Sequence, residues 1–290
     1  MLILQKIDIP DFSFPYFYYR HDQVSTGIRN PITRGRNLFP LFSVNQYRIE
    51  GVSEPNLLLV LCGDTFPAIR ESHGDFELWF TRALKGLGLR VVTWNAHQHH
   101  DMPDISFAGV VLSGSPAMVT DRAGWSIALA DWILECVELN IPVLGVCYGH
   151  QLLADALGGE VDFHPGGREI GSLLMSCTQE AGNDPLFRHM PRSFYAQLSH
   201  AQSVLTLPPD AVLLASGSRV RCQAFRYGRS VWGVQFHPEF NRAVMAAYLD
   251  NYQREISQAQ LKEIREHLHD CPDAEKILVR FADFCLGHKS

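Results

Sequence analysis

The sequence predicts an α/β fold: a mostly parallel sheet with helices on both faces, and a small antiparallel portion late in the chain. Two observations carry this. From residue 57 onward strand-like and helix-like segments alternate, the order of a parallel sheet whose crossover helices cover both faces. Beyond about residue 170 the pattern changes to shorter strands, which fits an antiparallel addition.

The elements follow in order. Residues 57–62 are an apolar strand, 75–87 an amphipathic helix, 89–94 a strand, and 110–112 another. A helix over 125–139 leads into the β-rich run 141–146. That run stops at Cys147, and 151–157 reads as a helix that Gly158-Gly159 ends. Shorter strands are expected at 170–177, 212–215, 222–225 and 231–236, then helices over 242–257, 261–268 and 274–286. Residues 1–55 are expected to be an irregular or poorly ordered extension, 56–251 the main domain, and 252–290 a helical tail packed on it. The extension carries an aromatic patch, Phe12-Ser-Phe-Pro-Tyr-Phe-Tyr-Tyr19, and a basic Pro/Gly segment from Ile28 to Arg36. A docking arm for a partner is the alternative reading of it.

Gly145 and Gly149 flank Cys147 in the pattern G-x-C-x-G, the thiol counterpart of the elbow that turns a strand abruptly into a helix. Such a turn strains the backbone at the nucleophile and leaves no room for side chains on either side, so glycines fit there. A sulfur at a helix N-terminus meets exposed N–H groups and the positive end of the dipole, which favour the thiolate. Taken alone, a cysteine between glycines is as readily a small apolar core residue. The second cluster, Val231-Trp-Gly-Val-Gln-Phe-His237-Pro-Glu239, shifts the balance. In an extended segment residues two apart share a side, so His237 and Glu239 stand together, with Pro238 fixing the backbone between them. A base and the carboxylate that orients it need that arrangement.

Together the two motifs resemble the triad, or class I, glutamine amidotransferase domain, in particular the glutaminase domain of GMP synthase and its stand-alone relatives. The resemblance covers about residues 56–251. It implies a flavodoxin-like core with Cys147, His237 and Glu239 as catalytic triad. It further implies an oxyanion hole from the backbone of Gly114 and Tyr148, substrate contacts from Gln151, Ser199 and His200, and no cofactor. Ser113-Gly114-Ser115-Pro116 stands where the family commonly has two glycines, a substitution compatible with the turn if Ser115 keeps a negative φ. The implied chemistry is hydrolysis of the side-chain amide of glutamine, or of another γ-glutamyl amide, through a thioester.

Composition narrows the remainder. With 46% hydrophobic and 19% charged residues the chain can bury a core, and a net charge of −6 speaks against a general nucleic-acid binder. Seven cysteines, an odd number without a C-x-x-C pair, indicate a reducing compartment. The opening Met1-Leu-Ile-Leu is broken at once by Gln5-Lys6, and apolar runs are short, so neither a secretory signal nor a membrane span is expected and the cytoplasm is the default. His97-Gln-His99-His100-Asp101 reads as a solvated loop rather than a metal site, because its residues are adjacent and no matching Cys or His pair follows.

No second domain with a nucleotide-binding loop is visible, so a separate ammonia-accepting synthase subunit is the expected partner. A stand-alone γ-glutamyl peptidase is the alternative, and a non-catalytic regulatory module a third reading that the intact Cys-His-Glu set disfavours.

Overall fold

Consecutive side chains of a strand point to opposite sheet faces, and the first strand, β1 (Asn56–Leu61), uses both for core packing. Leu57 and Leu59 join one apolar cluster, Leu58 and Val60 another, all at 0% exposure. A strand apolar on both faces belongs inside a sheet covered on both sides. The computed structural model describes residues 54–99, 101 and 106–287, so all but the last two residues of the expected N-terminal extension lie outside the described residues.

After β1 come α1 (Pro67–His73), α2 (Phe76–Leu84), β2 (Arg90–Asn95), β3 (Gly109–Leu112), α3 (Gly124–Glu138) and β4 (Val143–Val146). There follow α4 (Tyr148–Ala156), β5 (Glu160–Phe163), β6 (Glu169–Cys177), β7 (Ser193–His200), β8 (Gln202–Thr206), β9 (Val212–Ser216), β10 (Ala224–Tyr227) and β11 (Val231–Val234). The helices α5 (Arg242–Asn251), α6 (Gln258–Glu266) and α7 (Pro272–Cys285) complete the order.

Nine strands form one sheet in the order β2-β1-β3-β4-β11-β10-β9-β6-β7, and β5 pairs with β8 in a separate ribbon. From β2 to β11 every pairing is parallel; from β10 outward every pairing is antiparallel. The expected α/β class holds, with the antiparallel portion continuing the same sheet. Helices α2, α5, α6 and α7 place their buried residues in the cluster on one face, and α3 and α4 in the cluster on the other.

Two of the boundaries that differ from expectation have a clear local cause. The helix expected over 242–257 ends at Asn251, and a new helix starts after Ser257, whose hydroxyl accepts the Gln260 N–H while the Gln260 side chain accepts the Ser257 N–H. That reciprocal cap fixes a helix start there. The strand expected at 222–225 is displaced to Ala224–Tyr227 by its pairing with β11.

Candidate active site

The last residue of β4 is Val146 and the first of α4 is Tyr148, so Cys147 makes the reversal alone, at φ 52° and ψ −99°. This is positive-φ backbone, which costs a non-glycine residue of the order of 1–3 kcal/mol and survives only where surroundings enforce it. The enforcement is visible. The Cys147 N–H donates to Val234 O at 2.9 Å, and the Gly149 N–H to Ser113 O at 3.3 Å. A Cβ on Gly145 would stand 2.6 Å from Leu153 Cδ1 and collide with the Gly149 carbonyl; one on Gly149 would stand 2.6 Å from Leu112 Cβ. Neither glycine has a positive φ. They are there because backbone approaches backbone, as the elbow pattern predicts.

β11 pairs with β4 in parallel, Val234 opposite Val146. The chain that leaves β11 therefore emerges beside Cys147. His237 is anchored by its own N–H, which donates to Gln197 O at 2.8 Å. Its Nδ1–H donates to Glu239 Oε1 at 2.7 Å, with both side chains almost wholly buried. The pair comes together in a turn, closed by the Phe240 N–H to His237 O, rather than by the extended alternation expected from the sequence. The imidazole stacks on Phe240 with ring centroids 4.0 Å apart and interacts electrostatically with Cys147 across the cavity they both line. Burial works against a charged ring here, but the Glu239 carboxylate and Cys147 outweigh it and push the His237 pKa up to about 10.

The Ser113–Pro116 loop runs past the same point. A Cβ on Gly114 would lie 2.9 Å from His237 Cε1. The Ser113 hydroxyl accepts the Cys62 N–H and donates to Gly114 O, which holds the loop. Ser115 is not among the positive-φ residues, so it sits in the second-glycine position without strain. Tyr148 is the first residue of α4, where an N–H has no intrahelical acceptor, and its hydroxyl lies 2.6 Å from Ser126 Oγ in the core.

Cys147, His237, Gln151, Ser199 and His200 all line one cavity of about 260 Å³. Gln151 is held there by two donated bonds, to Gln202 O at 2.7 Å and Gln235 Oε1 at 3.0 Å. The Ser199 carbonyl lies 3.9 Å from Cys147 Sγ, and its hydroxyl meets Tyr252 at 3.5 Å. Both His200 nitrogens already face protein acceptors.

Among the lining residues that sequence reasoning missed are Phe76, Arg168, Tyr248 and Tyr252. Arg168 sits in a glycine-rich turn, stacks 4.2 Å over the Tyr252 ring and pairs with Glu255. Tyr248 belongs to a helical stripe with Val244, Met245 and Leu249, so its spacing reads as core. For Arg168 the one available signal is a basic residue set directly after Gly166-Gly167, and it names no partner.

Among the described residues no group of three or more His, Cys, Asp or Glu is arranged to hold a metal ion. His97 instead lies 3.9 Å from Asp64 and edge-on to Trp125, and His100 is outside the described residues. No described helix is long and apolar enough to cross a membrane.

The family model for class-I glutamine amidotransferases matches residues 69–254. The chain is 35% identical over 173 residues to one subunit of the glutamine-hydrolyzing GMP synthase of Methanopyrus kandleri, covering 59% of this chain and 87% of that protein. It is 33% identical over 150 residues to the GMP synthase of Phocaeicola vulgatus, covering 51% of this chain but only 27% of that protein. The chain thus spans about a quarter of the length of such full synthases. Among solved structures, a glutamine amidotransferase of Thermotoga maritima superposes with TM-score 0.63 at 20% identity, covering 82% of this chain and 99% of that one. A GMP synthase subunit from Thermoplasma acidophilum gives 0.58 at 20% identity, covering 81% and 96%. With the family model matched over more than half its length, the chain belongs to the class-I glutamine amidotransferases.

Proposed function

We propose that the protein hydrolyses the side-chain amide of glutamine, with Cys147 as nucleophile, His237 as general acid and base, and Glu239 as the carboxylate that orients His237. The observation that carries this reading is the joining of a strained, glycine-flanked cysteine to a buried His237–Glu239 pair across the β4–β11 register. Cys147 Sγ attacks the amide carbon while its proton rests on His237. Backbone N–H groups of Tyr148 and Gly114 receive the oxyanion, the electrostatic contribution that is usually largest in acyl transfer. His237 gives the proton to the departing nitrogen and ammonia leaves. Water then attacks the γ-glutamyl thioester with His237 as base, the sulfur leaves, and glutamate is released.

Gln151, Ser199 and His200 would hold the amino-acid end of the substrate. The Methanopyrus kandleri protein, most of whose length this chain matches, is named as one subunit of its synthase, which favours transfer of the ammonia to a separate synthase partner. A second reading, hydrolysis of larger γ-glutamyl amides without a partner, is favoured by a groove of about 780 Å³ that shares Arg168 and Glu255 with the cavity.

The test incubates wild type and Cys147→Ala with glutamine and a panel of γ-glutamyl amides, reading glutamate release and the mass of a Cys147 adduct. Release by wild type with loss of at least about 1,000-fold in the variant is expected, because nucleophile and base act as a unit. Equal release by both proteins, or none with any substrate even after a synthase partner is added, would sink the proposal.

A further inference from the structure

His200, which lines the cavity, belongs to a second buried carboxylate–imidazole pair. Glu169 and His200 stand opposite each other in the β6–β7 register, both side chains at 2% exposure or less, with His200 Nε2 3.2 Å from Glu169 Oε2. Gln223 Nε2 donates to the same carboxylate oxygen at 2.8 Å. On the other side of the ring, His200 Nδ1 lies 2.8 Å from Gln202 O. The ring is thus held from both sides, by the carboxylate at Nε2 and by the Gln202 carbonyl at Nδ1. The remaining neighbours do not supply a competing charge at close range. Ser203 Oγ is 3.4 Å from Nδ1, and His150 is kept neutral, its pKa pushed down to about 3 by burial. Arg219 acts electrostatically on Glu169 while donating to the carbonyls of residues 166–168.

This pair governs a turn next to the nucleophile. Gln202 O accepts from Gln151 Nε2 as well as from His200, and the Gln202 amide bonds the Val119 N–H and Thr120 Oγ1. The Ser199 carbonyl at the start of that turn is the group 3.9 Å from Cys147 Sγ. We propose that Glu169 is a positioning residue: it anchors the His200 ring through Nε2, and His200 in turn fixes the 199–202 turn and Gln151 as the seat for the amino-acid end of a γ-glutamyl substrate. Glu169 touches neither substrate nor sulfur, so it should govern affinity and leave the chemistry alone. The inference rests on the proposed glutaminase reading.

The experiment compares full-length wild type, Glu169→Gln, Glu169→Asp, His200→Gln and the Glu169→Gln/His200→Gln double variant. Glutamine KM and kcat are read, together with alkylation of Cys147 by iodoacetamide with and without glutamine. Glu169→Gln should raise KM about tenfold or more with kcat within about threefold. Its alkylation rate without glutamine should match wild type, which shows that elbow and triad are folded, while protection by glutamine is lost. Glu169→Asp, which keeps the charge, should recover part of the affinity. In the His200→Gln background the Glu169→Gln change should add nothing, because one residue acts through the other. An unchanged KM, additive effects in the double variant, or a fall in kcat with slowed alkylation would each overturn the proposal. A wild type that neither turns over nor is protected by any γ-glutamyl amide would overturn the functional reading beneath it, a result distinct from all of these.

Discussion

Cys147 holds its φ of 52° because the two flanking glycines let the elbow close on Leu112 and on its own helix. Adding one methyl group at either glycine forces backbone apart. Gly145→Ala and Gly149→Ala are each expected to cost about 1–3 kcal/mol by overpacking and to lower the proposed glutaminase activity further than that loss explains, since the sulfur moves with the turn. Denaturant midpoints and kcat/KM of the two variants check this. The imidazole beside it sets a pH dependence. His237 titrates near 6.5 when unfolded and near 10 when folded, so its contribution to stability is complete below pH 6.5 and disappears as pH rises through about 10. Denaturant midpoints of wild type and His237→Gln, taken from pH 6 to 10.5, should therefore converge at the alkaline end. Both motifs are legible in sequence for a local reason: the elbow and the His-Pro-Glu turn impose composition on adjacent residues. Glu169 and Arg168 escape notice because their partners, His200 and Tyr252, are far along the chain and meet them only through strand pairing and helix packing.

At the scale of elements, legibility followed the size of the apolar signal. β1, β4 and α2 bury continuous or amphipathic apolar residues and stand where the periodicity put them. α1 buries only Ile69 and so has no stripe to read. β7 buries Phe194, Ala196, Leu198 and His200 at alternate positions but Gln197 as well, and its polar residues read as substrate contacts instead. The break between α5 and α6 was also readable, from the Ser257–Gln260 spacing of a capping box. Ser257→Ala should cost about 1 kcal/mol and loosen α6, one wall of the groove beside the cavity. Hydrogen exchange across Gln258–Glu266 would report it; unchanged protection would show that packing of Leu261 suffices.

For the whole molecule, the sheet divides at β11 into a parallel half that presents the elbow and an antiparallel half that presents β6 and β7. The last helix is as much a part of the core as the first strand. Ile277, Leu278, Phe281 and Ala282 of α7 are fully buried, with Phe281 edge-on to Trp232 at the sheet centre. This packing lies beyond the family-matched segment. Phe281→Ala should cost about 3–5 kcal/mol through the cavity it leaves, measurable by denaturation, and a near-neutral result would mean that α7 is dispensable.

The insertion of β11 between β4 and β10 also orders events in time. During synthesis Cys147 emerges with its elbow sequence some ninety residues ahead of His237, and β4 has no neighbour on that side until β11 arrives. The register that seats Val234 against Val146 is thus what brings His237 beside Cys147. A chain that ended before β11 would carry Cys147 without the His237–Glu239 pair, so on the proposed reading it would hold the nucleophile without its base.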